Sequence, residues 1–100
     1  MAGVTTQCKT LTEVRECIDL LDAQIVTLLA ERAKYVHEAA RFKESRQGVI
    51  VPSRIEEIIA RVRQLSIERG ANPDLMERIY RSMIDAYIVS EQDVWDNLNG

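Results

Sequence analysis

Residues 11–46 read LTEVRECIDLLDAQIVTLLAERAKYVHEAARFKESR and decide the fold. Their apolar side chains recur in steps of three and four on one stripe of an α-helix, and no Pro or Gly interrupts the run. Such a helix would be roughly 50 Å long, whereas a compact domain of this size has a radius of gyration of about 13 Å. One chain cannot cover this stripe, so the pattern predicts that chains associate. The stripe comprises Val14, Ile18, Leu21, Ile25, Leu28, Tyr35, Ala39 and Phe42.

One position of the stripe carries a charge. The residue due between Leu28 and Tyr35 is Arg32, whose guanidinium stays protonated in proteins. Burying a charge without a partner costs several kcal/mol. We therefore expect Arg32 to meet either a carboxylate of its own fold or an anion that binds from outside.

The composition is that of a single globular domain. The chain has 100 residues, 46% of them hydrophobic, and a formal net charge of -3. This charge argues against nucleic acid or an anionic membrane as a partner, so any anion site must be local. The first residues form no apolar signal segment, and no run approaches the roughly 18 apolar residues of a membrane span. These features predict a cytoplasmic protein.

The cysteines and the histidine form no catalytic set. Cys8 and Cys17 lack a C-x-x-C spacing and a paired histidine, which predicts free thiols in a reducing compartment. His37 follows Tyr35 by two residues, and helical spacing places it on the outer, solvated face. We find no Ser-His-Asp set, no Gly-rich phosphate loop and no metal-ligand cluster in the sequence.

The start of the chain predicts an arm and a capped helix. Residues 1–9 are small and polar, which indicates a flexible arm before a single domain over residues 10–100. Thr10 or Thr12 is expected to cap the first helix. After that helix comes a loop at residues 47–52, in which Gly48 is suited to a left-handed cap conformation.

Two further helices follow the loop. The second is predicted to begin at Ser53, because residues 53–56 form an S-x-x-E capping box. Gly70 is expected to end it, and Asn72 followed by Pro73 is a typical helix start for a third helix that extends to about residue 97. No stretch alternates with the period of two that is typical of strands. The predicted fold class is therefore all-α, with three helices, one of them very long.

Arg32 and Lys43 point the same way on the predicted first helix. They are three helical turns apart and can hold a small dianion between them, although a solvated lysine near a helix end is the plainer reading of Lys43. Arg15 lies about 25 Å before Arg32 along the axis, so it cannot share that ligand within one chain. In an antiparallel dimer it could complete the partner's site; a surface ion pair with Glu13 or Glu16 is the alternative.

The third helix brings a carboxyl to a core position. Glu91 continues a row that steps by four, three and four, whereas Gln92 lies at its edge. A buried carboxyl is rare unless it is paired or protonated. Glu91 is therefore expected either to contact a ligand or to neutralise Arg32 or Lys43. Arg54 adds a cation at a helix N-terminus, where backbone N–H groups favour anions; a solvated arginine is the alternative. The row is Ile84, Ile88, Glu91 and Trp95.

These residues resemble those of the all-helical chorismate mutase family. The resemblance extends over residues 11–95 and rests on segments whose combined order and spacing are specific. The segments are V-R-x-x-I-D-x-L-D at 14–22, L-L-A-E-R at 28–32, F-K at 42–43, P-S-R at 52–54, and Y-R-x-M-I-x-A-Y-I at 80–88 followed by Glu91. The P-x-R loop is also similar to that of the related isochorismate pyruvate lyases, which make salicylate.

The resemblance implies an intertwined homodimer with two sites, each binding a small dicarboxylate, chorismate or isochorismate, without a cofactor. Arg15, contributed across the interface, and Arg32 would bind the two carboxylates. Lys43 would contact a carboxylate and the ether oxygen whose bond breaks. Glu91 falls at the place of the Gln or Glu that hydrogen-bonds this oxygen.

The same resemblance implies a substrate pocket and an activity. Arg54 and the loop backbone near Val51 would close over the substrate, and Ile84 and Tyr87 would line its cavity. The implied activity is that of an isomerase, the pericyclic rearrangement of chorismate to prephenate in the shikimate pathway of aromatic amino acid biosynthesis.

Two positions depart from the family pattern in opposite directions. Ile55 follows the loop arginine where many mutases carry a Glu that contacts the ring hydroxyl, and the lyases are apolar there. Glu91 stands where the lyases carry Gln, which favours a mutase. Placing Gln92 in the site instead would move Ile84 and Tyr87 out of register. Three hypotheses follow: a chorismate mutase, an isochorismate pyruvate lyase that makes salicylate and pyruvate, or a helical dimer that is not an enzyme.

Overall fold

The chain folds into three helices and one short 3-10 turn. A computed structural model describes residues 7–100, so most of the predicted arm, residues 1–6, lies outside the described residues. The long helix α1 covers Leu11–Ala40, a 3-10 turn covers Gln47–Val49, and the helices α2 and α3 cover Pro52–Glu68 and Pro73–Asn99. Residues 7–100 contain no strand. The prediction of an all-α chain with three helices, one of them long, is confirmed.

The first helix begins where predicted but ends earlier. The hydroxyl of Thr10 accepts a hydrogen bond from the amide of Glu13 at 3.1 Å, so Thr10 is the cap. The helix stops at Ala40, and the prediction that it continues to residue 46 is wrong. After Ala40 the amides of the next residues bond to carbonyls three residues back. The indole N–H of Trp95 also donates to the carbonyl of Lys43 at 3.1 Å, which takes an acceptor that a longer helix would use.

Two predicted caps in the loop between α1 and α2 are wrong. Helix α2 begins at Pro52 with Val51 as its cap, and Ser53 makes no capping hydrogen bond. The reason is that Pro52 suits the first helical position, since it has no N–H to satisfy there. Gly48 lies inside the 3-10 turn, and Gly70, at φ 71°, is the glycine with positive φ in the described part of the chain.

The predicted start of α3 is confirmed. The side-chain oxygen of Asn72 accepts hydrogen bonds from the amides of Asp74 and Leu75, at 2.9 and 3.3 Å. Pro73 occupies the first turn, as expected from the sequence. Helix α3 then continues to Asn99, slightly beyond the predicted end.

Helix α3 lies between the other two helices and runs parallel to α1 and antiparallel to α2. The hydroxyl of Tyr87 donates to the carbonyl of Leu29 at 2.7 Å, and Trp95 bonds to Lys43 further along both helices. The ion pairs between α2 and α3 join later residues of α2 to earlier residues of α3, as in two antiparallel helices. The small core is formed by Ala40, Val49, Ile59, Val62 and Ile84, which are all buried.

The face of α1 that packs on α3 is not its main apolar stripe. Ala33, Val36, His37 and Ala40 are half-buried or buried against the rest of the chain. His37 lies 2.6 Å from the hydroxyl of Ser90, so its predicted place on a solvated outer face is wrong. The chain packs on a second face of α1 and leaves the main stripe uncovered. The exposed stripe residues include Val14, Ile18, Leu21, Ile25, Leu28, Tyr35 and Phe42.

The chain is elongated, because the long helix α1 extends beyond the part that packs on α3. Its dimensions are 54 × 25 × 18 Å and its radius of gyration is 16.8 Å, above the roughly 13 Å of a compact chain of this length.

No helix in the described part of the chain has the length and apolarity to cross a membrane. No disulfide joins Cys8 and Cys17 in residues 7–100, where their Sγ atoms lie 4.0 Å apart.

Candidate functional site

A cavity of about 420 Å³ lies between the three helices, next to the second half of α1. All predicted site residues except Arg15 line it. The α1 wall supplies Arg32, the connecting segment supplies Lys43 and Val51, and α2 supplies Arg54. Helix α3 supplies Ile84, Tyr87 and Glu91. The cavity is also lined by Tyr35, Val36, Ala39, Val49, Ile55, Ile58, Arg61 and Ile88.

Arg32 is positioned by an aromatic ring. Its guanidinium carbon lies 4.9 Å from the centroid of the Tyr87 ring, a distance typical of a cation–π contact. The ring is held in turn by the hydrogen bond from its hydroxyl to the carbonyl of Leu29. Arg32 has no ion pair within residues 7–100. Its positive charge is therefore directed at the cavity without a carboxylate of its own fold to neutralise it.

Lys43 reaches the same cavity from outside the helix. The prediction that Lys43 lies on the same helix as Arg32 is wrong, because α1 ends at Ala40. The side chain of Lys43 still lines the cavity, since the backbone after Ala40 turns toward α3. The bond from Trp95 to the Lys43 carbonyl fixes this turn. The tertiary contact, and not helical periodicity, brings the two cations together.

Glu91 is the buried carboxyl of the site. It is 6% exposed and lines the cavity, whereas Gln92 does not line it. Burial raises the pKa of Glu91 above its ordinary value, and the positive charges of Lys43 and His37 act in the opposite direction. Glu91 makes no ion pair within the described residues. A carboxyl with a raised pKa keeps its proton to higher pH and can then donate a hydrogen bond.

Helix α2 presents two arginines to the cavity. Arg54 is exposed and pairs with Glu57 at 2.7 Å, on the same helix. Arg61, seven residues later, is also exposed and lines the cavity without an ion pair in the described part of the chain. The sequence analysis missed Arg61. Its signal was the spacing of seven from Arg54, which returns a helical side chain to nearly the same direction.

The other side of α2 is rich in ion pairs. Arg63 lies 3.0 Å from both Asp74 and Glu77, and Arg81 lies 2.7 Å from Glu77 and 2.9 Å from Glu56. Hydrogen bonds from Arg81 lower the pKa values of Glu56 and Glu77. Glu56, Asp74 and Glu77 are thus paired away from the cavity. The cavity keeps Arg32, Lys43 and Arg61 available for an anionic ligand.

Arg15 lies far from the cavity of its own chain. It is exposed in the first turns of α1 and does not line the cavity. Its distance from Arg32 along the helix is about 25 Å. Within one chain it therefore cannot contact the same small ligand.

The arrangement suits a small dianion more than a metal. Its cations come from α1, the connecting segment and α2, most of its other lining side chains are apolar, and the pKa of its carboxyl is raised. A volume of about 420 Å³ is within the usual range of ligand pockets. In residues 7–100 no group of three or more His, Cys, Asp or Glu side chains is arranged to hold a metal ion.

Comparison with known proteins gives two levels of similarity. The sequence profile of chorismate mutase type II matches residues 14–92. An isochorismate pyruvate lyase of Pseudomonas aeruginosa is 30% identical over 93 residues, which cover 93% of this chain and 92% of that protein. The T-protein of Enterobacter agglomerans is 35% identical over 85 residues, which cover 83% of this chain but 22% of that protein.

Proposed function

The chain belongs to the chorismate mutase type II family, and on this basis we propose that it is a chorismate mutase, converting chorismate to prephenate. The observation that carries the proposal is the cavity lined by Arg32, Lys43 and Arg54, by apolar side chains and by the buried carboxyl of Glu91. Chorismate carries two carboxylates, which match the cations of the wall. We further propose that the reaction takes place in the cytoplasm.

The roles of the cavity residues follow from what the rearrangement needs. The substrate must be held with its reacting carbons close together, and negative charge that grows on the ether oxygen must be stabilised. Arg32 is proposed to bind one carboxylate, and Lys43 a carboxylate together with the ether oxygen. Protonated Glu91 is proposed to donate a hydrogen bond to that oxygen. No nucleophile and no proton abstraction is required.

The remaining lining residues shape the site. Arg54 and the backbone near Val51 are proposed to close over the substrate, because both line the cavity at the start of α2. Ile84 and Tyr87 are proposed to contact its ring. Tyr87 has a second task, since its ring also supports the guanidinium of Arg32.

The second carboxylate is proposed to bind Arg15 from another copy of the chain. The uncovered stripe of α1 supports this, since Ile18, Leu21 and Leu28 are 50%, 56% and 64% exposed. Burying such side chains is worth roughly 1.5–3 kcal/mol each. An antiparallel pairing of two α1 helices would bury them and carry Arg15 toward the partner's cavity. The proposed enzyme is therefore a homodimer with two sites.

A second candidate function is isochorismate pyruvate lyase activity. Ile55 lines the cavity directly after Arg54, and this apolar side chain offers no hydrogen bond to a ring hydroxyl. The relative from Pseudomonas aeruginosa that carries this name matches nearly the full length of both chains. The same cations would then bind isochorismate and release salicylate and pyruvate.

One experiment separates these candidates. The purified protein is incubated with chorismate and, in parallel, with isochorismate. Loss of chorismate absorbance with formation of prephenate supports the mutase, and appearance of salicylate fluorescence supports the lyase. The ratio of the two kcat/KM values then assigns the main activity. Absence of turnover with both substrates would leave the third hypothesis, a helical dimer that is not an enzyme.

A further inference from the structure

His37 connects the long helix to the part of α3 that carries the buried carboxyl. Its Nε2 lies 2.6 Å from the hydroxyl oxygen of Ser90, in a partly buried contact between α1 and α3. Ser90 directly precedes Glu91, so the two side chains leave the helix about 100° apart. One faces α1 and the other faces the cavity. The contact therefore holds the helical turn that bears Glu91.

Four polar contacts join α1 and the segment after it to α3. They involve Tyr87 with Leu29, Ser90 with His37, Trp95 with Lys43, and Arg46 with Asp96. The first and third use a phenol and an indole as donors, and the fourth is an ion pair. The second, closest in sequence to Glu91, uses the only histidine of the chain. Histidine is the side chain that changes charge between pH 5 and 8.

We propose that His37 is a positioning residue that acts through Ser90, holding Glu91 toward the cavity and adding a positive charge beside it when the imidazole is protonated. This inference rests on the proposed function, because it concerns the group proposed to donate to the substrate. Nothing in the reaction requires His37 to contact the substrate.

Several charged groups surround Glu91. Lys43 lines the same cavity from the segment after α1, Arg32 from α1, and Arg54 and Arg61 from α2. On α1, His37 has Lys34 and Arg41 within one turn, and Arg41 pairs with Glu38. Among all these groups, Lys43 and His37 are the charges that lower the pKa of Glu91.

The electrostatic consequence has a definite sign. Protonated His37 favours the carboxylate form of Glu91 and lowers its pKa, as Lys43 does, whereas burial raises it. Without that charge, Glu91 holds its proton more firmly. The charge of His37 therefore narrows the pH range over which Glu91 can donate a hydrogen bond.

The test is the titration of the carboxyl carbon of Glu91 by NMR in the full-length protein. We expect its midpoint to rise by at least about 0.3 pH unit in His37→Gln, a twofold change in proton affinity. Lys34→Gln removes a cation from an exposed position of the same helix and is the matched control, with the Glu91 midpoint unchanged. An unchanged Glu91 midpoint in His37→Gln would overturn the inference.

Kinetics distinguish the two parts of the role. Ser90→Ala removes the hydrogen bond but keeps the charge, so we expect kcat to fall about threefold or more with little change in KM. His37→Gln keeps a donor for Ser90 but removes the charge, so kcat should be nearly preserved at neutral pH. Equal kcat values in Ser90→Ala and wild type would overturn the positioning role. Turnover absent in the wild type, with the NMR coupling present, would count against the proposed function and not against the His37–Glu91 coupling.

Discussion

The guanidinium of Arg32 lies over the ring of Tyr87, 4.9 Å from the ring centroid. A cation held by a ring keeps its N–H donors free, whereas a cation held by a carboxylate uses them in the pair. The arrangement thus answers the question that the sequence raised about a charge in an apolar stripe. Arg32 has no carboxylate partner in the described residues and faces a cavity.

Replacing the supported cation should abolish most of the activity. In Arg32→Ala we expect kcat/KM for chorismate to fall about 100-fold or more, because a charged contact to the substrate carboxylate is lost. Arg78→Ala is the matched control, since Arg78 is exposed on α3 and does not line the cavity. Steady-state kinetics provide the measurement. Activity of Arg32→Ala close to that of the control would exclude Arg32 from the site.

The activity should fall as the pH rises through the pKa of Glu91. Burial raises that pKa above its ordinary value of 4.5, and only the protonated form donates to the ether oxygen. Glu91→Gln donates at every pH, so its profile of kcat/KM against pH should be flat over this range. If the variant keeps the pH dependence of the wild type, Glu91 is not the donor.

The same pKa shift predicts a change in stability. A carboxyl whose pKa is higher in the folded than in the unfolded state stabilises the fold while it is protonated. For Glu91 this contribution is fully present below its ordinary pKa and is lost as the pH rises through the raised value. The free energy of unfolding, measured in urea between pH 4 and 8, should show this loss in the wild type. Glu91→Gln should lose less free energy of unfolding over the same pH range. An equal dependence on pH in the two proteins would contradict the prediction.

Arg61 should contribute to binding more than to chemistry. It lines the cavity from an exposed position of α2, so its charge acts on the bound anion through partly screened contacts. We expect KM to rise about threefold in Arg61→Gln, with kcat nearly unchanged and a weaker dependence on salt. Arg69→Gln, at the end of the same helix and outside the cavity, is the control. An equal KM in Arg61→Gln and Arg69→Gln would show that Arg61 does not contribute to the site.

Mixed dimers provide a test of the shared site. If Arg15 serves the partner's cavity, Arg15→Ala and Arg32→Ala should each be nearly inactive. Random mixing of the two variants places one intact site in about half of the dimers, and so restores about a quarter of the wild-type activity. Kinetics after joint refolding measure the recovery. No recovery, with dimers confirmed by light scattering, would show that Arg15 acts within its own chain or not at all.

The sequence was sufficient for the features set by periodicity and by local caps. The stripe of α1 and the caps at Thr10 and Asn72 depend on neighbouring residues, and the structure has them. The row that carries Glu91 also placed this residue inside, where it is 6% exposed. Such features could be predicted because each depends on a few residues of one helix.

The features set by contacts between helices were not accessible. Helix α1 ends at Ala40 because its following turn packs on α3, and no local signal separated this end from residue 46. His37 was misplaced for the same reason, since the chain covers a second face of α1 that the apolar pattern does not mark. Arg61 was missed because an exposed arginine carries no sign of the cavity beside it.

The bond from the indole of Trp95 to the carbonyl of Lys43 gives the protein its own optical reporter. Trp95 is the only tryptophan of the chain, and its N–H is fixed on the segment that carries a cation of the cavity. The fluorescence of Trp95 should change when a bound anion draws Lys43 into the cavity. Binding could then be followed without an added label. Shortening the chain before Trp95 would remove the hydrogen bond that fixes that segment, and we expect this to weaken ligand binding although Trp95 and Lys43 are 52 positions apart in the sequence.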